Sequence, residues 1–260
     1  MCLILLAWRV HPRFPCVLAA NRDEFHDRAA APAEWWPSKA GILAGRDLHA
    51  GGTWLGVTRR GHFAALTNFR DGGARRADAP SRGTLVSELL ESALSVPETL
   101  HRLQNVGGQY NPFNILFSDG ERLGIYESAL HRGRELGPGV FGLSNHLLDT
   151  PWPKVQNAKT ALTAALADAR EPDAILHLLR DDRPASDADL PQTGATLEWE
   201  RLLSSAFVRD EDYGTRCSTL FRVDDRRGAV FYEWSWDRTG EPSGTRRFEF
   251  AVEGNDAPSA

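Results

Sequence analysis

The second residue of the chain, Cys2, would carry two reactive groups if the methionine before it were removed. Initiator methionine is generally removed when a small residue follows, and Cys2 would then hold both a thiol and a free α-amine. In unperturbed peptides these groups titrate at about 8.5 and about 8, so the amine can take the thiol proton without a histidine. The alternative is an ordinary small core residue on a buried strand, and position alone favours that alternative.

A polar tetrad, Asn21-Arg22-Asp23-Glu24, stands where the second apolar segment of the chain stops. If the two segments form a hairpin, the end of the second strand returns to the start of the first, which is Cys2. An arginine there would favour the thiolate, and a carboxylate would orient the α-amine. In a regular strand Arg22 and Asp23 point to opposite faces, so both serve one site only through a bulge or a turn. A solvated strand end is the alternative.

Three further side chains have types suited to binding a carbonyl or an acid. Asn68 and Asn145 each follow an apolar segment and are candidate amide donors to an oxyanion, although Asn is also common in loops. Arg216 stands at the start of a predicted strand, where it is suited to anchor a carboxylate or a phosphate. The alternative for Arg216 is a surface arginine.

Several classes of function are excluded by what the sequence lacks. It contains no HExxH, GxSxG, P-loop or GxGxxG pattern, which argues against zincins, α/β-hydrolases, NTPases and dinucleotide-binding enzymes. The three cysteines, Cys2, Cys16 and Cys217, show no CxxC spacing, so we expect neither a disulfide framework nor a metal site. The net charge is -5, without a long run of Lys or Arg, so a nucleic-acid partner is not expected.

The composition is that of a globular protein, with 42% hydrophobic and 25% charged residues. The apolar opening lacks a basic region and a cleavage site, so it does not read as a signal peptide. No stretch reaches the about 18 to 20 apolar residues of a membrane-spanning helix. We therefore expect a cytoplasmic protein without a membrane span, and one domain over residues 1–252 followed by a disordered polar tail, 253–260.

Apolar periodicity and turn residues predict the elements that position these side chains. Both alternating faces of the first strand are apolar, which indicates a strand buried on two sides. A polar loop is predicted at 32–39, between the first two hairpins. The predicted strands are 2–10, 16–21, 53–57, 63–67, 113–118, 122–127, 215–223, 229–236 and 246–252, and the predicted helices are 84–95, one after Pro97, 153–168, 172–180 and 197–206.

This order of elements indicates an α+β protein. Strands that are apolar on both faces, with helices arriving in pairs, favour a four-layer α/β/β/α sandwich. A three-layer arrangement, with one sheet between helices, also satisfies the pattern.

Taken together, these motifs resemble the NRDE family, also called the transport-and-Golgi-organisation family. The resemblance spans nearly the whole chain and rests on the segments Met1-Cys2-Leu3, Asn21-Arg22-Asp23-Glu24, Gly51 to Gly56, Leu66 to Arg70, Gly142 to Asn145 and Gly214-Thr215-Arg216. That family is similar to N-terminal-nucleophile hydrolases, in particular the choloylglycine and penicillin V acylase group. The resemblance implies the α/β/β/α fold and amide-bond chemistry at Cys2.

Carried onto this sequence, the resemblance implies a role for each matching residue. Cys2 is the nucleophile, with Arg22 and Asp23 as its polar neighbours. Asn68 and Asn145 are oxyanion or substrate contacts. Arg216 is a distal anchor, and Asn21 and Trp54 are substrate contacts. In the acylase group the Arg and the Asp of the hairpin are separated, whereas Arg22 and Asp23 are adjacent here, so the sequence leaves open which of them faces Cys2.

Two functions remain open at this stage. The first is an N-terminal-nucleophile hydrolase that cleaves an amide or a thioester with Cys2 and requires no cofactor. The second is a non-catalytic carrier that holds haem or an acyl-CoA-type lipid metabolite in the same cleft, because the family is associated with haem trafficking and lipid homeostasis. Either function implies a small-molecule ligand.

Overall fold

The computed structural model describes residues 2–37, 39, 41–166 and 172–254, and these residues form two antiparallel sheets with helices on their outer faces. In chain order the elements are β1 (Cys2–Trp8), β2 (Cys16–Phe25), β3 (Ala30–Trp35), β4 (Ile42–Asp47), β5 (Leu55–Thr58), β6 (Phe63–Asn68), α1 (Arg82–Ser92), α2 (Val96–Val106), β7 (Phe113–Ser118), β8 (Leu123–Glu127), β9 (Arg132–Leu136), β10 (Gly139–Leu143), α3 (Pro153–Ala165), α4 (Pro172–Leu179), α5 (Leu197–Leu202), β11 (Tyr213–Val223), β12 (Gly228–Trp236) and β13 (Pro242–Ala251).

The strand order divides these elements between the two sheets. One sheet has six strands in the order β10-β1-β2-β11-β12-β13, and the other has seven in the order β3-β4-β5-β6-β7-β8-β9. The seven-stranded sheet follows chain order, whereas the six-stranded sheet joins the two ends of the described chain with β10. Cys2 therefore lies on an interior strand, between β10 and β2.

Three apolar cores separate four layers. The middle core lies between the sheets and includes Ile4, Leu6, Phe63 and Phe231. Helices α3 and α4 cover the outer face of the six-stranded sheet, and α1 and α2 cover the outer face of the seven-stranded sheet. Each fully buried Leu, Ile or Phe side chain contributes about 1.5 to 3 kcal/mol relative to exposure. The four-layer prediction is confirmed, and the three-layer alternative is not what forms.

Both faces of strand β1 are apolar because each of them packs in a different core. Its residues from Leu3 to Trp8 are all buried. Leu3, Leu5 and Ala7 face the helices, while Ile4, Leu6 and Trp8 face the opposite sheet. A side-chain period of two sends alternate residues to the two cores.

The structure corrects the sequence prediction in two places. The predicted loop at 32–39 contains most of β3, an edge strand whose pairing with β4 shifts between Ala31 and Glu34. Pro32 lies in that irregularity, where a missing N–H is tolerated. The predicted disordered tail begins too early, because the Glu253 N–H donates to the Arg59 carbonyl and Arg227 donates to the Glu253 carbonyl. Residues 255–260 lie outside the described residues.

The Gly51-Gly52 turn presses directly against the start of α1. Gly51 has a φ of +79°, and a Cβ added to Gly52 would lie 2.2 Å from the backbone carbon of Gly83. The Thr53 N–H donates to the Gly83 carbonyl at 3.1 Å, so this contact fixes the first turn of the helix.

Among the described residues, no helix is long and apolar enough to cross a membrane.

Replacing Gly52 with alanine is expected to destabilise the fold, because the added methyl group must displace helix backbone. We expect the free energy of unfolding to fall by about 2 kcal/mol, measured by urea denaturation. Gly108→Ala is the matched control, because a Cβ there meets nothing within 4 Å. Equal stability of the two variants would contradict the proposed close approach.

Candidate active site

The pairing of β1 with β2 places Arg22 directly beside Cys2. In this antiparallel pair Cys2 lies opposite Arg22, and on the other side of β2 Arg22 lies opposite Cys217 of β11. Directly opposed residues in a sheet share a face, so the guanidinium group stands between two thiols. Arg22 is 8% exposed, and its Nη1 has no hydrogen-bond partner among the described residues.

A bulge in β11 separates the residues that face the cleft from those that face the helices. The register with β2 shifts between Thr215 and Cys217, which leaves Arg216 as the extra residue. Arg216 Nη1 donates to the backbone carbonyls of Phe25, His26 and Arg28. The bulge thereby aims Arg216 at the end of β2, beside Arg22.

Asp23 takes part in the site differently from Arg22. Its carboxylate accepts a hydrogen bond from Thr215 Oγ1 at 2.7 Å, and its backbone carbonyl accepts one from the Tyr213 hydroxyl. Burial raises the pKa of the Asp23 carboxyl, and the Lys154 ammonium is among the charges that oppose this shift. Arg22 thus shares the face of Cys2, while Asp23 contacts Cys2 through its backbone N–H.

Lys154 is a buried ammonium group next to Asp23. It lies in the first turn of α3, is 5% exposed, and its Nζ has no hydrogen-bond partner among the described residues. Burial lowers its pKa to about 8, against the attraction of Asp23. Lys154 is not predicted from the sequence, because nothing local distinguishes it from a surface lysine of a helix.

The backbone nitrogen of Cys2 is held by Asn145. The Cys2 N–H donates to Asn145 Oδ1 at 3.2 Å, and Asn145 Nδ2 donates to the Asn68 carbonyl at 2.9 Å. The Ser144 hydroxyl donates to the Cys2 carbonyl at 3.0 Å. These bonds fix the nitrogen that would become the α-amine after removal of Met1. Asn145 therefore fixes the position of the Cys2 nitrogen, and its amide donates to the Asn68 carbonyl, whereas the sequence predicts an oxyanion or substrate contact.

The surroundings of the Cys2 thiol shift its pKa in favour of the protonated form. Burial raises its pKa above the usual value, although a backbone hydrogen bond from Asp23 and the nearby Arg22 guanidinium favour the thiolate. A nucleophile of this kind needs a base that removes its proton as it reacts.

Cys2 opens into a cleft of about 910 Å³ at one end of the sandwich. The six-stranded sheet contributes Cys2, Arg22, Arg216 and Cys217, and the seven-stranded sheet contributes Leu66 and Asn68. Trp54 and the start of α1 complete the wall. The Asn68 side chain is exposed and lines the cleft, and its amide donates no hydrogen bond to another described residue, so it is free to donate to a ligand. Among the described residues, no group of three or more His, Cys, Asp or Glu is arranged to hold a metal ion.

Residues 1–238 match the family described as Transport and Golgi organisation 2. The chain belongs to this family. It is 35% identical over 257 residues to the Transport and Golgi organization protein 2 homolog of Bos taurus, covering 90% of this chain and 93% of that protein. It is 33% identical over 279 residues to the homolog of Mus musculus, covering 97% of this chain and all of that protein. The resemblance found in the sequence is thereby confirmed.

The fold of this Transport and Golgi organisation 2 family member is that of the N-terminal-nucleophile hydrolases. A similar solved structure is the mutant C2A conjugated bile acid hydrolase from Clostridium perfringens, with a TM-score of 0.57 and 10% sequence identity. The match covers 100% of this chain and 95% of the hydrolase. The four-layer fold is therefore similar to the fold of that hydrolase.

Asn21, a residue of the family tetrad, lies away from the cleft. It is fully buried, its Nδ2 donates to the carbonyls of Leu179 and Ala206, and its Oδ1 accepts from Ser218. These bonds tie β2 to the end of α4 and to the segment after α5. This placement differs from the expected substrate contact, because Asn21 points to the helix-facing side of the sheet.

Proposed function

We propose that this protein is an N-terminal-nucleophile hydrolase that cleaves an amide or a thioester with Cys2 after removal of Met1. The observation that carries the proposal is the hydrogen bond from the Cys2 nitrogen to Asn145 Oδ1, beside a partly buried thiol that lines an open cleft. The same residue then supplies the nucleophile and the base, and Asn145 fixes their mutual orientation.

In the first half of the reaction the α-amine takes the thiol proton as sulfur attacks the carbonyl carbon. A carbon–sulfur bond forms, and the carbonyl oxygen becomes an oxyanion that accepts a hydrogen bond from the Asn68 amide. Collapse of this intermediate breaks the bond to the leaving amine or thiol. The leaving group takes its proton from the ammonium group of Cys2.

In the second half a water molecule replaces the leaving group. The α-amine takes a proton from that water, which attacks the acyl carbon of the thioester on Cys2. The carbon–sulfur bond breaks, the sulfur regains the proton, and the carboxylic acid leaves. Arg22, on the same face as Cys2, stabilises the thiolate in both halves.

A carrier of haem or of an acyl-CoA-type metabolite is the second candidate. The observation in its favour is the cleft volume of about 910 Å³, near the upper end of the range for small-molecule sites. Such a carrier would bind its ligand without product formation, and binding would not depend on the Cys2 thiol.

The test is mass spectrometry of the purified protein before and after exposure to a panel of acyl amides and acyl thioesters. We expect loss of Met1, and an acyl adduct on the N-terminal peptide in samples quenched within milliseconds to seconds. Peptide mapping separates that adduct from one on Cys217, which lines the same cleft. Retention of Met1 in the folded protein, or acylation of Cys217 alone, would contradict the proposal.

A further inference from the structure

The wall of the cleft around Cys2 is rich in arginine, although the chain as a whole has a net charge of -5. Six arginines line it: Arg22, Arg28, Arg46, Arg76, Arg82 and Arg216. Four acidic residues line it as well: Asp23, Glu24, Asp47 and Glu233. A positive surface inside a negative protein is favourable for an anionic ligand.

The pairing of these charges leaves the positive groups in excess. Asp47 pairs with Arg28 at 2.7 Å, and Glu24 lies 3.8 Å from Arg28 and 3.9 Å from Arg22. Asp23 bonds to Thr215 on the helix-facing side. Burial raises the pKa of Glu233, whose Oε1 accepts from the Ala33 N–H. Among the described residues, the other four cleft arginines therefore have no carboxylate within ion-pair distance: Arg46, Arg76, Arg82 and Arg216.

Arg82 is one of the cleft arginines that have no carboxylate partner among the described residues, and it stands at the start of α1. Among the described residues no carboxylate lies within ion-pair distance of it, and its recorded hydrogen bond runs from Nη1 to the Pro112 carbonyl at 3.2 Å. It is half-buried, and burial together with the neighbouring Arg75 and Arg28 lowers its pKa to about 10. The Cys2 thiol is among the groups that interact with it electrostatically.

The position of Arg82 in α1 is unfavourable for the helix itself. It is the first helical residue, after the cap Ser81, and the first turn contains no acidic residue. The N-terminus of a helix carries a partial positive charge, so a cation there is repelled and an anion is attracted. Arg82 has no carboxylate partner among the described residues, and Nη1 of the buried Arg22, which lines the same cleft, has no hydrogen-bond partner among them.

We propose that the cleft binds substrates carrying a phosphate or carboxylate group, which Arg82 and the first turn of α1 hold while Arg22 and Arg216 face the reacting end. The inference deepens the proposed function and rests on it for the identity of the bond that is cleaved. Arg82 is then the residue that determines specificity for an anionic substrate, and the anion removes the repulsion at the start of the helix.

The binding test uses the Cys2→Ala variant, which separates affinity from turnover. Isothermal titration calorimetry compares N-decanoylglycine with its neutral amide, N-decanoylglycinamide, and N-decanoyl-O-phosphoethanolamine with neutral N-decanoylethanolamine. We expect the anionic member of at least one pair to bind about 10-fold or more tightly than its neutral partner, because charge-assisted hydrogen bonds are the stronger kind. The preferred pair identifies a carboxylate or a phosphate as the bound group.

Variants of Arg82, made in the Cys2→Ala background, test whether this residue produces the preference for the anionic compound. Arg82→Gln is expected to reduce the ratio of affinities for the anionic and the neutral compound to less than about threefold. Arg82→Lys should give an intermediate ratio, because lysine keeps the charge but loses the guanidinium fork. Arg122→Gln, which removes an exposed arginine paired with Glu135, is the control and should keep the full preference. Without ligand, Arg82→Gln should be at least as stable as its parent, since it relieves the helix terminus.

Each outcome decides a separate point. Equal affinity within both pairs, or no binding of either anionic compound, would overturn the anionic-substrate inference. A preference that survives Arg82→Gln would overturn the assignment to Arg82. A preference for the anion, with no turnover of these or other acyl compounds by the processed wild type, would refute the hydrolase and leave the anion site standing.

Discussion

Cys2→Ala is expected to reduce turnover of an amide or thioester substrate by at least about 1000-fold, because it removes the atom that forms the acyl intermediate. The fold should persist. Cys2 is the first residue of β1 and only partly buried, so loss of its sulfur removes little of the packed core. Initial rates, together with circular dichroism of the same samples, provide the measurement.

Cys217→Ala is the matched control for this loss. Cys217 lines the same cleft and lies on the opposite side of Arg22 from Cys2. Neighbouring strands are about 4.8 Å apart, so the two cysteines, two strands apart, are too distant for Cys217 to take over the attack. We expect Cys217→Ala to retain at least about a third of the wild-type rate. Turnover that survives Cys2→Ala but disappears in Cys217→Ala would transfer the chemistry to the second thiol.

Because of Lys154, the free energy of unfolding is expected to rise with pH in the alkaline range. Its folded-state pKa of about 8 lies below the ordinary value of 10.5, so above pH 8 the folded protein loses a proton that the unfolded chain still binds. Stability rises with pH wherever the unfolded state binds more protons. From pH 7 to pH 10 the wild type should therefore gain about 2 to 3 kcal/mol relative to Lys154→Met.

Urea denaturation of both proteins across this pH range measures the difference. The charged groups that interact with Lys154 are Asp23, Arg70, Glu200 and the Cys2 thiol, and all of them remain in the variant. Lys159→Met, on the same helix but partly exposed and paired with Asp149, is the control and should follow the wild type. Parallel plots of unfolding free energy against pH for the wild type and Lys154→Met would show that Lys154 does not cause this pH dependence.

Enzyme kinetics test whether Lys154 also affects catalysis. Lys154 opposes the effect of burial on Asp23, whose backbone N–H contacts Cys2 and whose carboxylate is bonded to Thr215. If Lys154 positions this strand end electrostatically, Lys154→Met should shift the pH profile of kcat/KM, and Lys154→Arg should partly restore it. A uniform loss of rate without a change in the profile would indicate a purely structural role.

Local sequence was sufficient for the hairpin that carries Cys2. The apolar segments 2–10 and 16–21, with a turn between them, predict that Cys2 lies near the tetrad Asn21-Arg22-Asp23-Glu24, and the observed register pairs it directly with Arg22. The pattern of strands and paired helices likewise predicts the four layers. Both inferences depend on periodicity, which acts over a few residues and is therefore visible in the chain.

The contacts that complete the site join residues far apart in sequence. Asn145 reaches the Cys2 nitrogen because β10 pairs with β1, across a separation of 143 residues. The residue type of Asn145 predicts an oxyanion or substrate contact, since only the sheet order shows which backbone group its amide meets. Lys154 and Arg82 were missed because a lysine or an arginine in the first turn of a helix is normally exposed.

The sequence by itself determined the types of side chain available, the strands that alternate between two apolar cores, and the proximity of Cys2 to the tetrad. The tertiary structure decided which faces those side chains share. The bulge at Arg216 sends Thr215 to the carboxylate of Asp23 and Cys217 to the side of Arg22. Burial then raises the pKa of Cys2 and Asp23 and lowers the pKa of Lys154. Register, bulges and burial depend on packing between distant segments, so no local pattern encodes them.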